Sequence, residues 1–243
     1  MSSVALISAN FGGIDDIRPS LSCADVDTFY YTDAPTFASA DPDITASWTR
    51  VLVPNYPRHD FSARLRSRYF KQQIHRLPET AGYRWLAWAD TSLVFTDLTF
   101  LAERAEQLGA LPPQQRLLLV PHPDRRTVKE EYDYVRDEIA KGSEYHRIRY
   151  ANEKMTEQME FFESQGMNVN APLWCGTIWM VENSPLINQC WNSWWDQNLR
   201  FGMPDQLALA VLLEQFGIEP QALPVNLWNN RYFRYEAHRK LLV

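Results

Sequence analysis

The fold of this chain is decided by residues 83–95, which read Tyr-Arg-Trp-Leu-Ala-Trp-Ala-Asp-Thr-Ser-Leu-Val-Phe. An apolar run predicts a buried strand that ends at Asp90, and two hydroxylated residues, Thr91 and Ser92, precede a second apolar run. A buried carboxylate is costly unless it is paired, hydrogen-bonded or bound to a cation. In open α/β sheets, ligands lie beyond the carboxyl ends of the strands. The stretch therefore predicts an α/β fold with Asp90 at an edge that binds phosphate and a divalent metal.

The bulk composition indicates one folded domain and argues against a nucleic-acid partner. The 243 residues are 45% hydrophobic and 22% charged, which is ordinary for a globular protein. This length fits one large α/β domain, which we predict over residues 1–243. The net charge of −6 argues against a broad surface that grips a nucleic-acid backbone.

Cysteine usage and hydropathy predict a cytoplasmic protein. Cys23, Cys175 and Cys190 form an odd set without metal-type spacing, which indicates free thiols in a reducing compartment. The apolar run at 4–9 is too short for a signal peptide and lacks a basic start. No run approaches the roughly 20 apolar residues that cross a bilayer. We therefore expect no transmembrane segment, and the oligomeric state stays open.

Strand and helix patterns alternate along the first half of the chain, which predicts a mostly parallel sheet covered by helices. Besides the strand that ends at Asp90, strands are expected at 4–9, 28–33, 50–55, 116–122 and 173–182. Helices are expected at 62–77, 98–109, 127–141, 146–165, 185–200 and 204–216, the last opened by Pro204. The predicted fold class is a mixed, mostly parallel α/β sheet flanked by helices.

Two loops that follow predicted strands are candidate ligand contacts. Asn10, Phe11 and Gly12 follow the first strand, where glycine lets the backbone approach a ligand, so this loop is a candidate pocket for a nucleotide base. Neither a dinucleotide-binding glycine pattern nor a P-loop follows it. His122 follows a later strand and is a candidate substrate contact, although an ordinary loop position is the commoner role.

The helix expected at 62–77 carries a row of basic side chains. Arg64, Arg68 and Lys71 are spaced i, i+4 and i+7 and therefore share one face. Such a face is ordinarily a solvated surface. Because this helix comes just before the Asp90 strand, the face is also a candidate cationic wall for a diphosphate leaving group.

The strand expected at 173–182 is interrupted near its start. Trp174 stands beside Cys175 and Gly176, a large ring next to two small residues. The interruption is either a simple bulge or a place where a sugar lies against the backbone, with Trp174 as its platform.

Two further segments supply candidates for chemistry. Asp205 and Gln206 open a helix, where a carboxylate stabilises the helix N-terminus or acts as a general base towards an acceptor hydroxyl. The basic aromatic tail contains His238, which is a candidate late metal or phosphate ligand unless the tail is only a surface segment.

In order and spacing, these motifs resemble a glycosyltransferase-like family of bacteria and plants. That family was long described only as a domain of unknown function, and its plant members are tied to cell-wall polysaccharide. The resemblance covers roughly residues 60–216 and rests on short segments at 68–76, 83–95, 122–131, 149–158 and 205–206.

The resemblance implies a GT-A-type fold, in which one α/β domain transfers a sugar from a nucleoside diphosphate, UDP by default, to a saccharide or other hydroxyl. In such enzymes an acidic motif holds Mn²⁺ or Mg²⁺ on the diphosphate. That role maps onto Asp90, with Ser92 in place of a second carboxylate. The resemblance further implies that residues 10–12 contact the base, that Lys71 lies near the phosphates, and that Asp205 lies near the acceptor.

Two other functions stay open at the level of the sequence. A sugar-nucleotide hydrolase or nucleotidyltransferase also uses a metal and a diphosphate, and transfer to an acceptor other than water would distinguish the transferase. A non-catalytic carbohydrate- or partner-binding module is supported by the weak cation affinity of the single carboxylate at Asp90. The clustering of polar residues after three strands argues against such a module. If transfer retains the sugar's configuration, Asp205 becomes a positioning residue.

Overall fold

The computed structural model describes residues 3–57, 60–202 and 205–237. The strands in these ranges are β1 Val4–Asn10, β2 Val26–Thr32, β3 Arg50–Leu52, β4 Trp85–Ala89, β5 Leu93–Phe95, β6 Leu117–Pro121, β7 Trp174–Glu182, β8 Gln221–Ala222 and β9 Phe233–Tyr235. The helices are α1 Ala34–Ala38, α2 Pro42–Ala46, α3 Ala63–Gln72, α4 Thr99–Gly109, α5 Val128–Ala140, α6 Glu144–Tyr150, α7 Met155–Ser164, α8 Pro185–Phe201 and α9 Asp205–Gln215.

A seven-stranded sheet in the order β3-β2-β1-β4-β7-β6-β8 forms the centre of the fold. The four strands from β3 to β4 run parallel, β7 is antiparallel to both of its neighbours, and β8 is parallel to β6. A separate antiparallel ribbon pairs β5 with β9. The predicted fold class, a mixed and mostly parallel α/β sheet flanked by helices, is confirmed.

Strand β1 links the two layers of the core because all seven of its residues are buried. Ile7 belongs to the cluster that packs on α3, α8 and α9, whereas Leu6 belongs to the cluster on α4. Side chains alternate between the two faces of a strand, so β1 contributes to both layers. Its parallel register pairs Ile7 with Trp88 of β4, and the two strands therefore end at the same edge of the sheet.

The long helix predicted at 146–165 is wrong, because the chain forms two helices there, α6 and α7. The Arg149 carbonyl accepts a hydrogen bond of 2.7 Å from the Arg64 side chain. The backbone N–H of Lys154 donates to the Phe201 carbonyl instead of to a helical partner. Both hydrogen bonds join segments far apart in sequence, so local periodicity could not show the break.

The interruption predicted near the start of β7 is confirmed as an irregular register. Leu119 of β6 pairs with Trp179, but the next residue, Val120, pairs with Cys175. The strand predicted at 50–55 is shorter than expected. Pro204, the expected first residue of α9, lies outside the described residues. Within the described ranges, no helix is both long enough and apolar enough to span a membrane.

Candidate active site

Two cavities, of about 290 and 220 Å³, lie at the edge of the sheet where β1 and β4 end. The first cavity extends towards Asn10, Asp15 and Arg64, and the second towards Lys71 and Asp205. They are adjacent, because both are lined by Arg68, Asp90, Tyr145, Arg149 and Tyr235.

Asp90 lies where the two cavities meet. Strand β4 ends one residue before it, and the Asp90 N–H donates to the Thr177 carbonyl at 2.8 Å. Its Oδ1 atom accepts from Trp88 Nε1 at 2.6 Å and lies 3.6 Å from Lys71 Nζ. The predicted position of Asp90, at the end of a buried strand and open to a ligand, is confirmed.

Asp205 is a buried counter-ion rather than an exposed base. Its Oδ2 atom lies 2.8 Å from both Lys71 Nζ and Arg68 Nη1. Burial alone would raise the pKa of Asp205, but Arg68 and Lys71 outweigh that effect and hold the pKa well below its usual range. A carboxylate with so low a pKa is a weak general base. The geometry therefore fits the positioning role among those that the sequence left open.

Gly176 makes room for the Lys71 ammonium. A Cβ at this position would lie 3.0 Å from Lys71 Nζ and 3.5 Å from Asp205 Oδ2. The irregular stretch of β7 thus brings a strand without side-chain bulk against the ion pair. Of the two roles considered for this interruption, the structure shows the irregular register, and a sugar lying against the backbone here stays a prediction.

Arg64 and Arg149 add two guanidinium groups to the first cavity. Arg64 shares a face of α3 with Arg68, as its spacing predicts, whereas α6 supplies Arg149. The Nη1 atom of Arg64 approaches Glu153 at 3.3 Å, yet its buried Nε and Nη2 atoms have no acceptor among the described residues. Burial, and then the charges of Arg68 and Arg149, lower the pKa of Arg64 to about 10.

Of the three candidates at residues 10–12, the structure brings only Asn10, the last residue of β1, into the cavity lining. Asn10 is buried, and its Nδ2 atom donates to the Asp15 carbonyl at 2.5 Å. Phe11 is fully buried in the core. The Gly12 N–H donates to Asp33 Oδ2 at 2.5 Å, with φ at +75°. Phe11 and Gly12 therefore shape the loop from outside the cavity.

The second cavity contains four of the remaining candidates: Ser92, His122, Cys175 and Gln206. The Nδ1 atom of His122 accepts from the backbone N–H groups of Asp124 and Arg125, at 3.2 and 3.1 Å. Burial, and then the charge of Arg125, lower the pKa of His122 to about 4, so its ring is neutral at pH 7. Burial raises the pKa of Cys175 to about 12, which leaves its thiol protonated and unreactive.

Trp174, one of the two outlying candidates, is not brought to the site. Trp174 is partly buried against the core and lines neither cavity. The second cavity has a different exposed ring, Trp228, which packs edge-on against Tyr235 with 5.0 Å between centroids. His238 lies outside the described residues, so its role as a ligand stays a prediction.

Tyr145 and Tyr235 line both cavities and were missed by reasoning from the sequence. Tyr145 lies four residues before Arg149, a spacing that places both side chains on one face of a helix. Tyr235 belongs to β9, whose alternation of Phe233, Arg234 and Tyr235 is a strand signal too short to separate from an aromatic tail.

The described side chains around Asp90 do not by themselves form a divalent-cation site. Mg²⁺ takes about six oxygen ligands in a near-octahedral shell. Among the described residues, no group of three His, Cys, Asp or Glu side chains is arranged to hold a metal. The Asp90 carboxylate instead faces two donors, the Trp88 indole N–H and the Lys71 ammonium. Where the sequence predicts Mn²⁺ or Mg²⁺, the structure has one carboxylate, Asp90, beside the Lys71 ammonium. A bound metal at this position stays a prediction.

The fold is similar to that of solved glycosyltransferases. Apo mouse xyloside xylosyltransferase 1 matches with a TM-score of 0.50 at 10% identity, over 90% of this chain and 84% of that one. The apo WbbM bifunctional glycosyltransferase matches with a TM-score of 0.46 at 13% identity, over 92% of this chain and 39% of that one. Galactosyltransferase LgtC, in complex with donor and acceptor sugar analogs, matches with a TM-score of 0.43 at 9% identity, over 86% and 70%.

No protein-family model and no curated protein matches the sequence. At 10% identity the likeness to the xylosyltransferase shows the fold, a GT-A-like α/β domain. Membership in the family that the motifs resemble stays a prediction.

Proposed function

We propose that this chain is a glycosyltransferase that moves a sugar from a nucleoside diphosphate donor to a hydroxyl acceptor. The observation that carries the proposal is the pair of adjacent cavities at the ends of β1 and β4, with cations in the first cavity and Asp90 at the junction. Small-molecule sites typically occupy about 300–1,000 Å³, a range that the two cavities reach together. The likeness of fold to a sugar transferase supports the proposal by analogy.

In this proposal each cavity binds a different part of the substrates. The first takes the nucleoside, with Asn10 beside the base and Arg64 and Arg149 towards the phosphates. The second takes the sugar and its acceptor, with the exposed ring of Trp228 as a face on which a sugar can stack. UDP is the donor nucleotide and a saccharide is the acceptor that the family resemblance favours.

In the proposed reaction, the bond between the anomeric carbon and the outer phosphate oxygen breaks, and its electron pair leaves with the diphosphate. A new bond joins the anomeric carbon to the acceptor oxygen, and the acceptor's proton is released to solvent. Cations close to the leaving oxygen stabilise the charge that develops there. Arg68 and Lys71 are held for this role by Asp205.

A thermal-shift panel of UDP, GDP, CMP and TDP tests whether the site takes a nucleotide. A ligand at about 100 times its Kd adds about 2.7 kcal/mol to the free energy of unfolding. For a domain of this size we expect a rise in Tm of about 5–10 °C for the matching nucleotide. No shift with any of the four would contradict the proposal and favour a non-catalytic binding module.

Product analysis then separates transfer from hydrolysis. The matching sugar nucleotide is incubated with a mixture of saccharide acceptors, and the products are identified by mass spectrometry. We expect a glycosylated acceptor together with the released nucleoside diphosphate. Free sugar alone, at a rate that does not respond to acceptors, would identify a sugar-nucleotide hydrolase.

A further inference from the structure

The cations at the junction outnumber the carboxylates that contact them directly. Arg64, Arg68 and Lys71 come from one face of α3, and Arg149 comes from α6. Asp205 contacts Arg68 and Lys71 together. Arg149 donates from Nη1 to the Tyr145 hydroxyl at 2.8 Å, and no carboxylate of the described ranges lies within ion-pair distance of it.

Arg64 also has more hydrogen-bond donors than acceptors around it. Its side chain lines the first cavity, and its Nε and Nη2 atoms are buried without an acceptor in the described part of the chain. Burial and the neighbouring charges of Arg68 and Arg149 lower the pKa of Arg64 to about 10, which reflects both desolvation and mutual repulsion. An anion placed among these three side chains would relieve the repulsion and accept hydrogen bonds from their accessible N–H groups.

We propose that Arg64, Arg68, Arg149 and Lys71 bind the donor's diphosphate directly, without a divalent cation. This inference rests on the proposed function, because it assumes a nucleoside diphosphate donor. Guanidinium groups bind phosphate oxygens through paired N–H donors. Set beside the leaving oxygen, they supply the charge stabilisation that a bound metal would supply. Lys71 Nζ, 3.6 Å from Asp90 Oδ1, carries the positive charge nearest to that carboxylate.

Titration calorimetry of the full chain with UDP, or with the nucleoside diphosphate that the panel selects, tests the inference. Binding is measured in EDTA and then with excess Mn²⁺ or Mg²⁺. We expect the same Kd within about twofold in all three buffers. Binding that requires Mn²⁺ or Mg²⁺ would overturn the inference and leave the proposed function standing. No binding in any buffer would overturn the proposed function and the inference with it.

A matched pair of variants on α6 tests the guanidinium group itself. Arg149→Met removes a cation of the site, and Arg147→Met removes an exposed cation two residues away that lines neither cavity. A charge-assisted hydrogen bond is worth roughly 10- to 100-fold in affinity, so we expect Arg149→Met to raise Kd by that factor in EDTA. Arg147→Met should bind within twofold of the wild type. Wild-type affinity in a folded Arg149→Met protein would overturn the inference.

A third variant, Asp90→Asn, distinguishes the two kinds of site by the direction of its effect. If cations bind the diphosphate, removing the nearby negative charge leaves the affinity unchanged or tightens it. If Asp90 holds a metal, the same change weakens binding, and the loss appears only in the buffers that contain Mn²⁺ or Mg²⁺. The second pattern would overturn the inference.

Discussion

Three cations of the second cavity lie against buried carboxylates, whereas Arg64, in the first, keeps buried donors without an acceptor among the described residues. In the second cavity Asp205 contacts Arg68 and Lys71, and Glu131 contacts Arg125. Paired charges form a fixed surface of low net charge, which suits the hydroxyls of a sugar. Guanidinium groups with N–H donors left over suit the phosphates of a nucleotide.

The largest expected effect comes from breaking the pairing in the second cavity. Asp205→Asn leaves Lys71 and Arg68 without their shared counter-ion, which typically costs about 3–5 kcal/mol for a buried pair. We expect Tm to fall by about 10 °C or more. The matched control is Asp133→Asn, which removes an exposed ion pair with Lys129 and should leave Tm unchanged. Equal melting of both variants would contradict the account.

The contact of Asp205 with Lys71 and Arg68 also makes the free energy of unfolding depend on pH. The pKa of Asp205 is lower in the folded protein than its unfolded value near 3.9. Its stabilisation is therefore present above that value and is lost as the pH falls through the lower, folded pKa. We expect the wild type to lose more free energy of unfolding than Asp205→Asn when the pH falls from 5 to 2, as acid titrations of the two proteins would measure.

A methyl group tests the close approach of β7 to the ion pair. In Gly176→Ala the new Cβ lies 3.0 Å from Lys71 Nζ, so the ammonium must shift by a few tenths of an ångström from its place beside Asp205. We expect a loss of about 1–3 kcal/mol in the free energy of unfolding by denaturant titration, together with weaker nucleotide binding. Gly82→Ala is the control, because its Cβ would meet no atom within 4 Å. Identical behaviour of the two variants would show that Lys71 does not depend on Gly176.

Substitution of Trp228 and of Trp174 distinguishes a ring that stacks on a sugar from a ring that packs in the core. Trp228 is 49% exposed in the second cavity, whereas Trp174 packs against the core. Trp228→Ala should weaken binding of the sugar nucleotide about fivefold relative to the bare nucleoside diphosphate, and leave Tm nearly unchanged. Trp174→Ala should lower Tm and change both affinities alike. The reverse pattern, measured by calorimetry and thermal melting, would restore Trp174 as the platform.

The smallest expected effect concerns His122, whose folded pKa is lowered to about 4. A histidine with a lowered folded pKa contributes stability above its unfolded pKa, near 6.5, and loses it as the pH falls towards 4. Between pH 7 and pH 4, the wild type should therefore lose slightly more free energy of unfolding than His122→Asn, by less than about 1 kcal/mol because the ring is half-exposed. Nucleotide affinity should show no titration step from His122 between pH 6 and 8.

Features that follow from local pattern could be predicted from the sequence. The buried strand that ends at Asp90 and the basic face of α3 are set by residues within one element, and both are confirmed. The break between α6 and α7 could not be predicted, because the Arg64 side chain that caps Arg149 comes from 85 residues away.

Site residues whose positions depend on tertiary pairing could likewise not be predicted from the sequence. Tyr235 reaches both cavities only because β9 pairs with β5, about 140 residues earlier in the chain. Which tryptophan faces the second cavity, Trp228 or Trp174, depends on how separate segments pack, and the sequence offers no periodicity that distinguishes them.

The most direct test of the two-cavity account is a crystal structure of the full chain with the nucleoside diphosphate that the panel selects. The account predicts the base beside Asn10 in the first cavity and the diphosphate against Arg64 and Arg149, with its outer phosphate towards Arg68 and Lys71. A nucleotide bound away from these arginines, or with its base in the second cavity, would contradict it.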